Sequence, residues 1–260
     1  PPYQEEQISK NADGSLKNYA PPVYDKFMDN IDYPMWCHYL CELLKDNGVE
    51  TGTLVELGCG TGNVTMGLAK EGYNIIGTDI SPEMLGIAFE KLTDEVRNNI
   101  LYVAMDMRKL ELPCQVAAAV SICDSINYIT EYDDLVTVIK GVKKYLAPEG
   151  VFIFDLKTVK YFRCIGDNVI AEDRDECSFI WDNYFDESDN INEYQLSLFI
   201  KGDDGRYDKF VEEHYQRGYL IEEIKEAVKE AGMNIVSLYR AFSHENASEG
   251  DDRIYVVLKK

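Results

Sequence analysis

The most constraining feature of this sequence is a glycine-rich loop that follows a short β-rich segment. Residues 53–57 lead into Gly58-Cys59-Gly60-Thr61-Gly62, and helix-forming residues continue over 64–70. Glycine has no Cβ, so the backbone N–H groups of such a loop and the N-terminus of the following helix can approach a ligand closely. The order strand, glycine loop, helix therefore predicts the first unit of a ligand-binding α/β sheet.

Strands and helix-length segments continue to alternate after this loop. Ser81 can cap the helix that follows the second strand, with Pro82 in its first turn. Such alternation predicts a parallel sheet with right-handed crossovers. The predicted strands cover residues 53–57, 74–78, 101–104, 116–122 and 151–155.

The pattern changes after Asp155. Short alternating segments separated by turn clusters at 187–190 and 202–205 predict an antiparallel insertion. A helix over 221–231 and two strands with no helix between them then complete the chain, and two such strands pair antiparallel if they are neighbours. We therefore predict an α/β fold: a Rossmann-like seven-stranded sheet, mostly parallel with an antiparallel last strand, and helices on both faces. Residues 1–157 and 216–260 form the predicted core, and 158–215 form an antiparallel β cap inserted after the fifth strand.

Two acidic residues indicate the class of ligand. Asp79 ends the second strand, where its carboxylate can accept hydrogen bonds from ribose hydroxyls. Glu56 precedes the glycine loop by two residues, a position unfavourable beside a pyrophosphate and favourable near a cation. Asn63 stands where a dinucleotide-binding loop would have its third glycine. This pattern favours S-adenosylmethionine, which carries a sulfonium and an ammonium and no phosphate, over NAD; an NAD-dependent oxidoreductase is the alternative.

Three motifs resemble those of the Rossmann-like (class I) S-adenosylmethionine-dependent methyltransferases. They cover residues 56–62, 79–85 and 104–107. Residues 19–36 and 123–128 further resemble a bacterial small-molecule subgroup akin to amino-sugar N-methyltransferases. The resemblance implies methyl transfer to a small-molecule acceptor, with S-adenosylmethionine as cofactor.

The same resemblance implies a set of cofactor-binding residues. The glycine loop would line the methionine and ribose portions, the tip of the second strand would bind the ribose and flank the adenine, and the third motif would bind the adenine amino group. Cys123 would offer its carbonyl to the ligand ammonium. The implied residues are Tyr19, Glu56, Gly58, Cys59, Gly60, Gly62, Asp79, Ile80, Met84, Asp106, Met107 and Cys123.

Several of these residues have a simpler structural interpretation. Met84 can be a core residue of its helix, and Asp79 or Asp106 can cap a turn. Cys59 is better explained as a small loop residue than as a nucleophile. Cys123 can be an inert strand residue, because only its backbone would bind.

Methyl transfer from a sulfonium has a good leaving group, so positioning supplies much of the catalysis. A base is needed only when the nucleophile arrives protonated. His214, where the insertion rejoins the core, is the candidate base, and Tyr128, after the fourth strand, is the candidate residue beside the methyl group. A structural histidine, and a non-catalytic S-adenosylmethionine-binding protein of the same fold, are the alternatives.

Composition and charge limit the classes of partner that this chain is expected to bind. The formal charge of −21 argues against nucleic acid, which requires a basic surface. Acidic residues interleaved with Trp181, Tyr184 and Phe185 in the predicted cap suit an amine acceptor; a half-buried sheet with a solvated acidic face is the alternative. The seven cysteines include no Cys-x-x-Cys pair, which argues against a structural metal site. Their odd number and wide spacing indicate a reducing cytoplasm. There is no apolar run long enough to predict a membrane span. Caps in the methyltransferase family that this sequence resembles often help to form dimers, so the resemblance is also compatible with a homodimer.

Overall fold

The computed structural model describes residues 31–202 and 204–260. Its larger sheet has seven strands: β1 (Thr53–Leu57), β2 (Asn74–Asp79), β3 (Ile100–Ala104), β4 (Val116–Ser121), β5 (Leu146–Lys157), β10 (Asn234–Arg240) and β11 (Arg253–Lys259). Their order across the sheet is β10-β11-β5-β4-β1-β2-β3. The helices are α1 (Tyr33–Asp46), α2 (Asn63–Lys70), α3 (Pro82–Glu90), α4 (Tyr132–Tyr145), α5 (Val159–Ile165) and α6 (Ile221–Ala231).

The topology places a crevice beside the glycine loop. β1 pairs parallel with β2 on one side and with β4 on the other, so the chain order reverses between β1 and β4. Ligands of open α/β sheets bind at the carboxyl ends of strands at such a reversal. β11 is antiparallel to both β5 and β10, which confirms the predicted antiparallel last strand.

The central strands are buried on both faces, as parallel strands covered by helices are. Val55 and Leu57 of β1 belong to a core that includes residues of α4 and α6. Leu54, which points to the opposite face, belongs to a second core with residues of α1 and α2. The two cores fix the strand tips rigidly, and the candidate site lies at these tips. Among the described residues, no helix is long and apolar enough to cross a membrane.

A second sheet has four antiparallel strands in the order β6-β7-β8-β9. Its strands are β6 (Asn168–Asp173), β7 (Cys177–Asp186), β8 (Ile191–Lys201) and β9 (Tyr207–Arg217). Register aligns Asn183, Tyr194 and His214 in one row across the sheet. We call the face that carries this row the inner face; successive residues alternate, so Tyr184, Glu193 and Tyr215 lie on the outer face.

The sequence prediction missed two elements of this region, α5 and β6. Thr158 caps α5 by accepting a hydrogen bond from the N–H of Tyr161 at 3.3 Å. All six residues of β6 are exposed, so this edge strand lacks the alternation of apolar and polar residues that identifies a strand.

Candidate active site

The glycine loop leaves open space at its centre. Gly60 has φ 53°, and a Cβ built there meets no atom of the described chain within 4 Å. Gly62, at φ 77°, is the N-cap of α2, and a Cβ there would overlap the hydroxyl of Tyr102. Gly62 therefore allows the loop to pack on the sheet, whereas Gly60 leaves room for a ligand above the loop.

Asp79 ties this loop to the tip of β2. Its Oδ2 accepts the N–H of Gly60 at 2.8 Å, and its Oδ1 accepts the N–H of Ser81 at 2.9 Å. Burial raises the pKa of Asp79, and these backbone donors partly oppose the effect. The next residue, Ile80, is apolar yet 69% exposed, whereas Met84 is buried and its N–H is bonded to Ser81 Oγ. The β2 tip thus presents an anchored carboxylate beside an uncovered apolar side chain.

Glu56 is a buried carboxyl group beneath the loop. It is 3% exposed and accepts a hydrogen bond from Thr65 Oγ1. Burial raises the pKa of Glu56 to about 8, and neighbouring Asp79 adds to the shift. Burial also raises the pKa of the Cys59 thiol, so this cysteine is held as a neutral thiol. A cation placed near Glu56 would favour its charged form.

The third motif forms a short turn closed by an ion pair. Asp106 accepts the N–H of Arg108 at 2.9 Å, and its Oδ2 lies 2.7 Å from Arg108 Nη2. Arg108 also reaches Asp134 of α4 at 3.2 Å. The hydrogen bonds from Arg108 lower the pKa of Asp106. Asp106 therefore caps the turn that contains Met107; contact of either residue with an adenine stays a prediction.

The chain after β4 is held in an unusual conformation. Cys123 and Asp124 both have positive φ, at 61° and 56°. Such backbone is costly for residues with a Cβ and persists only when its surroundings fix it. Ser125 Oγ donates to the carbonyl of Gly58 at 3.1 Å, so this segment is fastened to the glycine loop.

An ion cluster that is largely shielded from solvent fixes that conformation, and the sequence analysis did not identify it. Arg253 Nη2 lies 2.8 Å from Asp124 Oδ1, and Arg253 also pairs with Asp155. Lys157 Nζ lies 3.0 Å from Asp124 Oδ2, and the N–H of Asp124 donates to Asp155 Oδ1 at 3.0 Å. Burial raises the pKa of Asp124, but Lys157 and Arg253 outweigh it and hold the pKa at about 2.

The inner face of the β6–β9 sheet meets this edge at Tyr128. Tyr128 Oη lies 3.0 Å from Tyr194 Oη and 3.2 Å from His214 Nδ1. The other ring nitrogen of His214, Nε2, lies 3.2 Å from Glu212 Oε2. The Tyr194 and His214 rings stack at 4.6 Å, and Trp181 packs against Tyr194 at 4.6 Å. Two predicted site residues, Tyr128 and His214, are thus brought into contact.

Other sequence-based expectations have different outcomes. Tyr19 lies outside the described residues. Tyr184, expected beside the acceptor, lies on the outer face and is 53% exposed. Side chains alternate along β7, so Trp181 and Asn183 face inward and Tyr184 faces outward. Phe185 is buried against Phe162 at 6.1 Å and has a packing role. Glu212 and Tyr194 were missed, although the alternation along β9 already places 212 beside 214.

Comparison with known proteins gives a consistent result. The sequence profile of a methyltransferase domain matches residues 54–150. A Geobacillus sp. (strain WCH70) protein, provisionally named a methyltransferase, is 31% identical over 239 residues, which are 91% of this chain and 96% of that protein. A crystal structure of a S-adenosylmethionine-dependent methyltransferase from Clostridium acetobutylicum ATCC 824 matches with a TM-score of 0.80 at 29% identity, covering 92% of this chain and 96% of that one. A dTDP-3-amino-3,4,6-trideoxy-alpha-D-glucopyranose N,N-dimethyltransferase from Streptomyces venezuelae is 27% identical over 135 residues, 51% of this chain and 55% of that enzyme.

Proposed function

This chain belongs to the class I S-adenosylmethionine-dependent methyltransferases, and we propose that it methylates the nitrogen of a small-molecule amine. One observation carries the proposal. The inner face of the β6–β9 sheet brings a histidine, backed by a carboxylate, against a half-exposed tyrosine at the edge where the cofactor-binding loop lies. An amine needs a route for its proton, and this group of side chains provides one.

The glycine loop and the residues around it have the chemistry to bind S-adenosylmethionine. The space above Gly60 admits a ligand, and Asp79 is an anchored acceptor for ribose hydroxyls. Ile80 offers an apolar surface to an adenine, and Glu56 offers negative charge to the cationic end. S-adenosylmethionine, when bound, supplies an activated methyl group on a sulfonium. We assign these four residues to its binding, with the Cys123 carbonyl, the Met107 backbone and buried Met84 as further contacts.

Charge and aromatic character favour an amine on the acceptor side. Glu212 is only 5% exposed; His214 beside it stacks on Tyr194, and Trp181 packs against Tyr194 at a tilt. Carboxylates and ring faces both attract cations. The whole chain carries a formal charge of −21, which disfavours anionic acceptors. The Streptomyces relative is named for a reaction on an amino sugar, which fits the same chemistry.

We assign residues 158–215 to acceptor recognition and the remainder of the chain mainly to the cofactor, with Tyr128 of the core where the two meet. Gln216 Nε2 donates to Asp124 Oδ2 at 3.2 Å, and Asn127 Nδ2 donates to the carbonyl of Arg217 at 2.8 Å. These bonds join the end of β9 to the segment after β4. The acceptor face is therefore positioned by the same segment that borders the cofactor.

A charge-matched panel tests the amine assignment. Primary and secondary amines, alcohols and carboxylates of similar size are assayed from pH 6 to 9 by formation of S-adenosylhomocysteine. We expect turnover with amines, increasing with pH as the ammonium loses its proton, and little with the others. Efficient turnover of alcohols or carboxylates without amines would contradict the assignment.

The buried Glu56 predicts that cofactor affinity depends on pH. Burial raises the pKa of Glu56 from 4.5 to about 8. The folded, ligand-free protein is therefore stabilised relative to the unfolded chain at low pH, and this stabilisation is lost as the pH rises from about 4.5 through 8. A cationic ligand favours the ionised form, so the affinity of the wild type should strengthen from pH 6 to 8, by up to about tenfold per unit.

Calorimetric titration of S-adenosylmethionine into wild type and Glu56→Gln measures this dependence. The variant reports the titration of the ligand's own groups, and the difference between the two proteins belongs to Glu56. Identical pH dependence in both proteins would remove Glu56 from the binding site.

A further inference from the structure

The hydrogen bonds around a neutral His214 allow one arrangement of protons when Glu212 is a carboxylate. A carboxylate only accepts, so the proton on His214 lies on Nε2, 3.2 Å from Glu212 Oε2. Nδ1 is then an acceptor and receives the hydroxyl proton of Tyr128 at 3.2 Å. Tyr128 has a single proton, so Tyr194 donates its own to Tyr128 Oη at 3.0 Å. Glu212 thereby determines the direction of each hydrogen bond that links it to His214, Tyr128 and Tyr194.

This arrangement leaves His214 unable to contact an acceptor directly. Both ring nitrogens are engaged, and the ring is stacked on Tyr194 at 4.6 Å with an interplanar angle of 12°. Tyr128 differs, because it is 45% exposed. Its oxygen donates one bond and accepts one, which leaves a second lone pair for an incoming N–H group.

We propose that Glu212 is a positioning residue that holds His214 in the Nε2–H tautomer, and that Tyr128 is the catalytic residue through which His214 takes the acceptor's proton. The inference rests on the proposed amine methylation and adds the route of the proton. The predicted base, His214, acts through Tyr128 instead of touching the acceptor.

The transfer balances without any further reactant. The acceptor nitrogen forms its bond to the methyl carbon as the carbon–sulfur bond breaks and its electron pair stays on sulfur. The proton of the nitrogen passes to Tyr128 Oη, whose own proton passes to His214 Nδ1. The resulting imidazolium is paired with the carboxylate of Glu212.

Four side chains bear on the charge of Tyr128. Tyr194 contacts both Tyr128 and His214 from β8. The protein that surrounds its hydroxyl disfavours the phenolate and so raises the pKa of Tyr128, although the ring itself is partly exposed. The negative charges of Asp124, Glu212 and Asp79 add to this effect, and the hydrogen bond with Tyr194 opposes it. Tyr128 is therefore held neutral, as a group that passes a proton on must be.

The tautomer can be measured without any acceptor. The chain has three histidines, so long-range ¹H–¹⁵N correlation spectra of labelled protein are simple to assign, with His214→Gln identifying the resonance. We expect neutral His214 as the Nε2–H tautomer in the wild type and loss of this single tautomer in Glu212→Gln. Glu213→Gln is the matched control, because it removes the same charge from the next residue of β9, which points to the other face. An Nδ1–H tautomer in the wild type, or an unchanged spectrum in Glu212→Gln, would overturn the proposal.

Kinetics on the best amine of the panel test the proton route. Tyr128→Phe should reduce kcat by about 100-fold or more while leaving cofactor affinity and the His214 tautomer in place. Glu212→Gln should reduce kcat by about tenfold or more, because the imidazolium that forms on proton transfer loses its counter-charge. Wild-type kcat in Tyr128→Phe would overturn the route. A failed amine panel with the expected tautomers would instead reject the acceptor class and retain the role of Glu212.

Discussion

Replacing Arg253 with methionine is expected to lower the free energy of unfolding by about 3–5 kcal/mol. Arg253 is paired with two carboxylates: Asp155, which is 0% exposed, and Asp124, whose side chain is 16% exposed. Without the guanidinium, Lys157 still faces Asp124, but Asp155 has a buried charge and no cation. Removing one partner of a buried ion pair costs far more than removing an exposed one, because the remaining charge cannot return to water.

Urea unfolding of Arg253→Met and two further variants measures this cost. Arg240→Met is the matched control: Arg240 pairs with Glu245 at 2.7 Å, but both side chains are more than half exposed. Solvent screens such a pair, so the loss should be below about 1 kcal/mol. Adding Asp155→Asn to Arg253→Met should restore part of the stability, since it removes the uncompensated charge. Equal losses for Arg253→Met and Arg240→Met would contradict the assigned cluster.

Substitution of Gly60 by leucine should weaken S-adenosylmethionine binding by about 100-fold or more, with a much smaller effect on folding. No described atom lies within 4 Å of a Cβ at this position, so the new side chain would enter the space that we assign to the ligand. Its positive φ adds strain of about 1–2 kcal/mol to the folded state. Binding is lost because of occupied space, and stability changes only because of the backbone.

Gly48→Leu separates these two effects. Gly48 also has positive φ, at 84°, and a Cβ there also meets nothing within 4 Å. Gly48 precedes β1 and the glycine loop follows β1, so the two lie at opposite ends of this strand. Calorimetry should give wild-type affinity for Gly48→Leu and little or no binding for Gly60→Leu. Comparable affinities in the two variants would place the cofactor elsewhere.

Local signals account for the parts of the fold that the sequence predicted well. The predicted bounds of β1, α6 and β11 are those observed, because apolar periodicity and flanking glycines are properties of a few neighbouring residues. The predicted fifth strand began at residue 151, after Pro148 and Gly150, whereas β5 begins at Leu146, directly after α4. Pro148 and Gly150 lie where the pairing of β5 with β4 shifts register, between Leu146 and Val151, so they mark the start of regular pairing and not the start of the strand.

Long-range register explains what the sequence could not predict. The ion cluster unites residues 124, 155, 157 and 253, and they meet only because β11 pairs antiparallel with β5, with Arg253 opposite Lys157. Likewise, His214 was predicted from its position in the chain, but its contact with Tyr128 depends on how the β6–β9 sheet meets the edge of the core. Alternation along β9 could have indicated Glu212; nothing local indicates Tyr194.

The most direct test of amine methylation is the identity of the methylated atom. The protein is incubated with S-adenosylmethionine that carries a ¹³C-labelled methyl group and with the best amine of the panel, and the product is examined by NMR and mass spectrometry. We predict one labelled methyl group on nitrogen for each S-adenosylhomocysteine formed. A label on oxygen or carbon, or S-adenosylhomocysteine formed without any methylated amine, would contradict the proposed function.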